Sequence, residues 1–365
     1  MKSIRLFALL AVAGFGSAVL AGDWPVFRGN LAQDGTSDEK LPNKLQELWK
    51  FKTGDSIDGA AAIVEEVVYI ASQDQHVYAL QLANGQQRWK FKAQAPIKTS
   101  PAVRAGRVYV GDLDGNFYCL DAESGKELWK FQAQSEISSA ANFAGDKVLF
   151  GSGDESLYCL DANGKQAWQF KVPGGPVMGT PAVEKNLTFV SGCDSKMHVV
   201  NVATGKEVFN VDIGGQTGAT PALRSNMLYV GTMSNQMLAI DIAKKDVAWG
   251  YESSRNQPFI ASAAITDKLI IAGCKDKRIY ALDRAKGTEV WSFATEGRIE
   301  GSPVVVGSRV YAGSLDENLY VIDLAKGKEL QRLKLAAPVS GSIAVSGGRV
   351  VVGTQDGTVH CFGAK

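Results

Sequence analysis

The sequence predicts an all-β fold: an eight-bladed β-propeller of four-stranded antiparallel blades marked by a recurring tryptophan, its ring closed by an N-terminal outer strand. Three observations predict it. An aromatic residue returns every 39–42 positions, at Trp49, Trp89, Trp129, Trp168, Phe209, Trp249 and Trp291, with Gln331 in the last slot of the series. Two more markers run in phase with it. Pro101, Pro181, Pro221 and Pro303 share one slot, filled elsewhere by Ala61, Ala141, Ala263 and Ile343, and a turn aspartate recurs at Asp74, Asp114, Asp154, Asp194, Asp276, Asp316 and Asp356, with Ser234 the exception. Finally, the last unit stops at Lys365 without a fourth strand, while a fourth-strand pattern, "KLQELWKFK" at 44–52, stands near the other end. A tryptophan-marked period of about 40 residues falls among propeller blades.

The chain divides into a signal peptide at 1–21, an N-terminal arm at 22–45 and the ring at 46–365. Lys2 and Arg5 form a short basic region, and "LFALLAVAGFGSAVLA" is apolar and closes on small residues, the pattern of an export leader cut near Ala21. An uncleaved membrane anchor is the alternative; no later segment reads as a span, so none is expected after cleavage. The arm is polar and turn-rich, but Trp24 and Phe27 are apolar anchors, and it reads as laid on the propeller surface. Each unit of the ring then reads as four short strands. In the second, "SPAVRA" opens the innermost strand, "GRVYVGD" and "NFYCLDA" alternate, and "SGKELWKF" supplies a turn and the last strand. Val, Ile, Tyr and Phe suit pleated, half-buried strands. Asp121 accepts backbone hydrogen bonds across its turn, and Gly125 takes positive φ there at low cost. Each such sheet has faces that it cannot bury alone, which is why the turn and the tryptophan repeat.

Composition excludes several roles. Lys plus Arg number 39 against 38 Asp plus Glu, and loss of Lys2 and Arg5 leaves 37 against 38, so no nucleic-acid partner is expected. Five cysteines leave at least one unpaired; Cys119, Cys159 and Cys361 read as buried small hydrophobes, and a Cys193–Cys274 bridge is left open. Of three histidines, His198 and His360 share a strand slot with Tyr118 and Tyr158 and read as core or seam residues. No HExxH, GxSxG or phosphate-loop pattern occurs, and no catalytic or metal-binding residue is assigned.

A ring leaves an axial channel. The slot three before the proline marker reads Asp58, Lys98, Ser138, Met178, Gly218, Ile260, Glu300 and Ser340, between an apolar slot and a small-residue slot. This varied slot is the expected channel lining. The longest loop into a first strand, residues 252–259, carries Arg255 and ends at Phe259; arginine near aromatics is a mixture found at protein contacts.

The motif "LDAESGKELWKF" resembles the docking motif of propellers first known from pyrroloquinoline-quinone dehydrogenases, and the match recurs from about Leu48 onward. The resemblance implies that each motif tryptophan stacks on the adjacent blade, near the glycine of its own turn. It also implies that Gln331 cannot dock and leaves a weaker seam. The class includes the BamB family of outer-membrane assembly lipoproteins, to which the chain is similar in size and blade number. The leader has no cysteine to carry a lipid. The class's dehydrogenases hold a quinone and calcium on the axis, and carry an adjacent cysteine pair and longer insertions; this sequence has neither, so no cofactor is expected. The expected function is a non-catalytic, exported scaffold, periplasmic or extracellular, binding a protein or cell-envelope component. A quinone-binding accessory protein or dehydrogenase is the alternative.

Overall fold

The structure, a computed structural model, describes residues 22–365; the expected signal peptide, 1–21, lies outside the described residues. Eight antiparallel sheets surround one axis. The innermost strands of blades 1 to 8 are Ala62–Val64, Ala102–Arg104, Asn142–Ala144, Ala182–Glu184, Ala222–Arg224, Ala264–Ile265, Val304–Val306 and Ala344–Ser346. Blade 2 shows the plan: Ala102–Arg104, Arg107–Gly111, Asn116–Asp121 and Glu127–Gln132 pair in succession as a meander. The two middle strands are almost wholly buried because blades cover both of their faces, whereas Glu127–Gln132 alternates between exposed and half-buried positions.

The ring closes as the sequence predicts. Gln46–Lys52 pairs antiparallel with Thr358–Gly363 as the outermost strand of blade 8, setting Trp49 opposite Cys361. His360 Nδ1 meets Glu47 Oε1 at 2.7 Å across this seam. The added strand covers the edge of Thr358–Gly363 that blade 8 would otherwise leave unpaired.

Each docking tryptophan is buried or half-buried and donates its indole N–H to the next blade: Trp49 to Leu82 O (2.8 Å), Trp89 to Ala122 O (2.9 Å), Trp129 to Ala162 O (3.1 Å), Trp168 to Val202 O (2.8 Å), Trp249 to Arg284 O (3.1 Å) and Trp291 to Leu324 O (2.9 Å). The glycine relation departs from the expectation. Trp89 covers Gly125 of the following blade, and Gly85, in its own turn, lies under Trp49; a Cβ on either glycine would sit 2.6 Å from the ring above it. The indole thus reaches the turn of the following blade and not its own. At Phe209 the covered residue is Lys245, also at positive φ, and its ammonium lies 5.1 Å from the ring centroid.

Gln331 also departs from the expectation. Its Oε1 accepts from Leu45 N at 2.9 Å and its Nε2 donates to Leu45 O at 2.8 Å. Arg309 adds bonds to Pro42 O and Asn43 O, both 3.0 Å, so a polar clamp replaces the ring at this seam.

The turn aspartates cap their own hairpins. Asp74 accepts from Gly54 N, His76 N and Tyr78 OH, and Asp316 from Glu296 N, Gly297 N, Asn318 N and Tyr320 OH. Burial alone would raise both carboxyls, but these bonds hold them below the usual value. In blade 2 the duty moves to buried Asp112, which takes Asn116, Tyr118 OH and Ala95 N. His198 bridges Asp194 and Glu207 at 2.8 and 2.6 Å. All five cysteines are free, so Cys193 and Cys274 do not pair.

Residues 23–39 visit the blades in order, along the axis-facing edges of the innermost strands. Trp24 forms a bridge with Ile63. Pro25 O then accepts from Val103 N, Leu31 O from Val183 N, Ala32 O from Leu223 N, Asp34 O from Ile265 N and Gly35 O from Val305 N, at 2.7–3.0 Å. Thr36–Ser37 adds a parallel strand to blade 7, and the Glu39 carboxylate takes Gly347 N and Gly348 N of blade 8. In blade 3, Asn142 reaches Leu31 O with its side chain at 2.9 Å. An inner-strand edge leaves N–H groups pointing at the axis, and the segment satisfies them in turn.

Candidate functional site

The segment fills one end of the axial channel and leaves a funnel of about 180 Å³ at the other, with Phe27 among its lining residues. Asp58, Lys98, Ser138, Met178, Gly218, Ile260, Glu300 and Ser340 come together there, one from each blade. They lie in the connections that precede the innermost strands, not in those strands. The apolar slot before them is buried: Ile57, Ile97 and Ile137, for example, are 0% exposed. Ile57, Ile137, Val177, Ile299 and Val339 press on glycines of the preceding blade, which fixes the backbone that carries the funnel residues.

The funnel is polarised. Asp58 accepts from Gln73 Nε2 at 2.7 Å and Ser56 Oγ at 3.0 Å on blade 1, and Glu300 stands 3.9 Å from Lys275 on the blade 7 side. Lys98 has no ion-pair partner among the described residues. Across the funnel, on blades 4 to 6, the lining turns soft and apolar with Met178, Gly218 and Ile260. Met178 is 46% exposed, as is Met233 in the neighbouring loop of blade 5.

Below this rim runs a belt of hydroxyls that the sequence reading missed: Ser100, Thr180, Thr220, Ser262, Ser302 and Ser342. Several tie blade to blade. Ala60 N donates to Ser100 Oγ (2.8 Å), Thr180 N to Thr220 Oγ1 (2.8 Å), Thr220 N to Ser262 Oγ (3.0 Å), Ser262 N to Ser302 Oγ (3.0 Å) and Ser302 N to Ser342 Oγ (3.0 Å). The signal was present: the slot just before the proline marker holds Ser or Thr in all blades except those of Ala60 and Ala140.

Arg255 is exposed in its loop, and the loop is tied to blade 5 by Asn235 Nδ2 to Asn256 Oδ1 at 3.0 Å. Phe259 corrects the expectation for this loop. It is 0% exposed and packs edge-on against Tyr280 at 5.7 Å, because it occupies the buried slot of Ile57 and Ile97. Its ring is therefore core, and only the Arg255 end of the loop faces solvent. On the opposite face an apolar groove of about 420 Å³ runs beside the arm, lined by Val26, Leu31, Val64, Val103 and Phe143 among others.

A family model described as outer membrane protein assembly factor BamB matches residues 43–177 and again 153–364. No curated protein matches significantly. Among solved structures, BamB from Moraxella catarrhalis is 21% identical with a TM-score of 0.73, the match covering 88% of this chain and 98% of that one. The designed protein Ika8 is 19% identical with a TM-score of 0.76, covering 87% and 100%. The quinohemoprotein alcohol dehydrogenase from Comamonas testosteroni is 14% identical with a TM-score of 0.82, covering 95% and 81%. At these identities the likeness speaks for the fold.

A quinone with calcium does not fit the funnel. Its volume falls below the roughly 300–1,000 Å³ typical of small-molecule sites. Calcium takes about six to eight oxygen ligands. The funnel's carboxylates, Asp58 and Glu300, come from separate blades and already face Gln73 and Lys275. Among the described residues, no group of three or more His, Cys, Asp or Glu is placed to hold a metal ion.

Proposed function

The chain belongs to the BamB outer-membrane assembly factor family, and from that premise we propose that it is an exported, non-catalytic scaffold that binds a protein of the cell envelope. The observation that carries this reading is the family match across 43–364, over units that keep a spacing of 39–42 residues. The binding surface is the funnel face over blades 4 to 6. There Met178 and Met233 are exposed large hydrophobics, and Arg255 is exposed on a loop tied to blade 5 through Asn235. Exposed methionine and arginine on a rigid frame suit a protein contact, since both are enriched at interfaces. The frame is rigid because the hydroxyl belt and docking tryptophans lock each blade to the next.

The leader pattern at 1–21 supports export, to the periplasm or outside the cell. No helix among the described residues is long and apolar enough to cross a membrane. The test has two arms. The mature protein is mixed with pyrroloquinoline quinone and Ca²⁺, and bound-cofactor absorbance and dye-linked alcohol oxidation are measured. In parallel, envelope crosslinking compares the wild type with a Met178→Glu, Met233→Glu, Arg255→Glu variant. The expected result is no stoichiometric quinone binding and a crosslinked partner that the variant loses while its circular dichroism is unchanged. Tight quinone binding with turnover would overturn the proposal.

A further inference from the structure

The side chains enclosed by the arm present a problem of charge that the ring itself does not solve. Arg28 is 1% exposed, Trp24 2% and Gln33 0%. Their Trp24 Nε1, Arg28 Nε and Nη1, and Gln33 Nε2 and Oε1 have no hydrogen-bond partner among the described residues. The path of the arm puts these groups inside the channel. The carbonyls of Trp24, Pro25, Leu31, Ala32, Asp34 and Gly35 turn outward to the blades, so the segment follows the innermost strands around the axis. Two contacts place these side chains along the arm. The Trp24 ring lies over Gly29, next to Arg28, and the Arg28 guanidinium reaches across to Gly35, two residues from Gln33. Arg28 Nη2 is anchored on Ala263 O of blade 6 at 2.9 Å, leaving its other N–H groups free.

We infer that the buried guanidinium of Arg28 binds a small monovalent anion of chloride size, with Gln33 and the Trp24 indole as the further donors. Four unpartnered nitrogen donors face one unpartnered acceptor, the Gln33 carbonyl, so the set is built for a ligand that only accepts. Ordered water can complete hydrogen bonds, but it cannot neutralise a buried guanidinium. The nearest carboxylate, Asp34, is already shared: it takes Asn30 Nδ2, Thr36 N and Thr36 Oγ1, and its other oxygen faces Arg224 at 3.3 Å. Burial lowers the Arg28 pKa to about 9, against the pull of Asp34, which still leaves it charged at neutral pH. The anion would thus act as an internal pin that holds the arm on the axis, behind the funnel and independent of any partner bound at its face.

The test uses the whole mature protein. Crystals grown in sodium bromide are measured at the bromine edge. The expected result is an anomalous peak within hydrogen-bond reach of Arg28 and either Gln33 or Trp24. Density there that carries no anomalous signal and refines as water would overturn the inference. In solution, the melting temperature is followed as chloride replaces gluconate at constant ionic strength. A saturable rise in the wild type that is absent in Arg28→Gln supports the site; a wild type indifferent to chloride contradicts it. If Arg28→Gln fails to fold, the bromide measurement on the wild type decides alone.

Discussion

Replacing Gly125 by alanine tests the direction in which the blades dock. Gly125 has φ +71°, and an added Cβ would lie 2.6 Å from the Trp89 ring. Left-handed backbone costs alanine about 1–2 kcal/mol. Overpacking against a held ring adds roughly 1–3 kcal/mol. Trp89→Ala alone removes an indole that is 8% exposed and its bond to Ala122 O, a loss of about 3–5 kcal/mol. In the double variant the clash is gone with the ring, leaving only the backbone term of Gly125→Ala. The pair should therefore be less destabilising than the sum of the single changes, by about 1–3 kcal/mol. Gly85→Ala is the control. Gly85 lies under Trp49 and not under Trp89, so with Trp89→Ala it should add within about 0.5 kcal/mol. Urea unfolding followed by far-ultraviolet circular dichroism gives the values, from midpoints at unchanged slope. Additivity for Gly125 together with coupling for Gly85 would refute the forward-docking arrangement.

Gln331→Ala should cost roughly 2 kcal/mol by removing both bonds to Leu45, and raise hydrogen exchange in Gln46–Lys52; unchanged exchange there would show that the clamp is idle. Removing residues 22–41 while keeping Gln46–Lys52 should lower the melting temperature and deprotect the Ile63, Val103, Leu223, Ile265 and Val305 amides; protected amides would contradict the path of the arm. Asp74, Asp154 and Asp316 have folded pKa values below the ordinary carboxylate value, because their hydrogen bonds outweigh burial. The stability they lend is present above about pH 4 and is lost as pH falls through that value toward the folded pKa. The melting temperature should accordingly fall below about pH 4, and Asp316→Asn should make that fall shallower; an identical acid slope would remove Asp316 from the account.

The fold was legible because repetition multiplies a weak signal. One aromatic after one turn says little, but Trp49 to Trp291 in phase with the prolines and aspartates fixes strand count and ring closure. The direction of docking was not legible. A repeated motif looks the same whether its ring covers Gly85 or Gly125, and only the contact in the folded ring decides. Gln331 misled because side-chain type was read as packing, whereas an amide can grip the backbone of Leu45. The arm's course was hidden for a related reason: its partners are main-chain N–H groups, which leave no mark in side-chain identity. The funnel residues were legible from slot variability, since Asp58, Lys98 and Glu300 break a pattern of small and apolar neighbours. Phe259 was legible too, had its slot outweighed its loop, for it stands in register with Ile57 and Ile97.

The proposed role is tested most directly by a photo-crosslinking amino acid placed at Met233 on the funnel face, and separately at Val208, which is 51% exposed on the outer rim of blade 4. In the native envelope the account predicts a discrete protein adduct from position 233 and none from 208. Adducts from 208 alone, or none from 233 with the protein folded and exported, would contradict it.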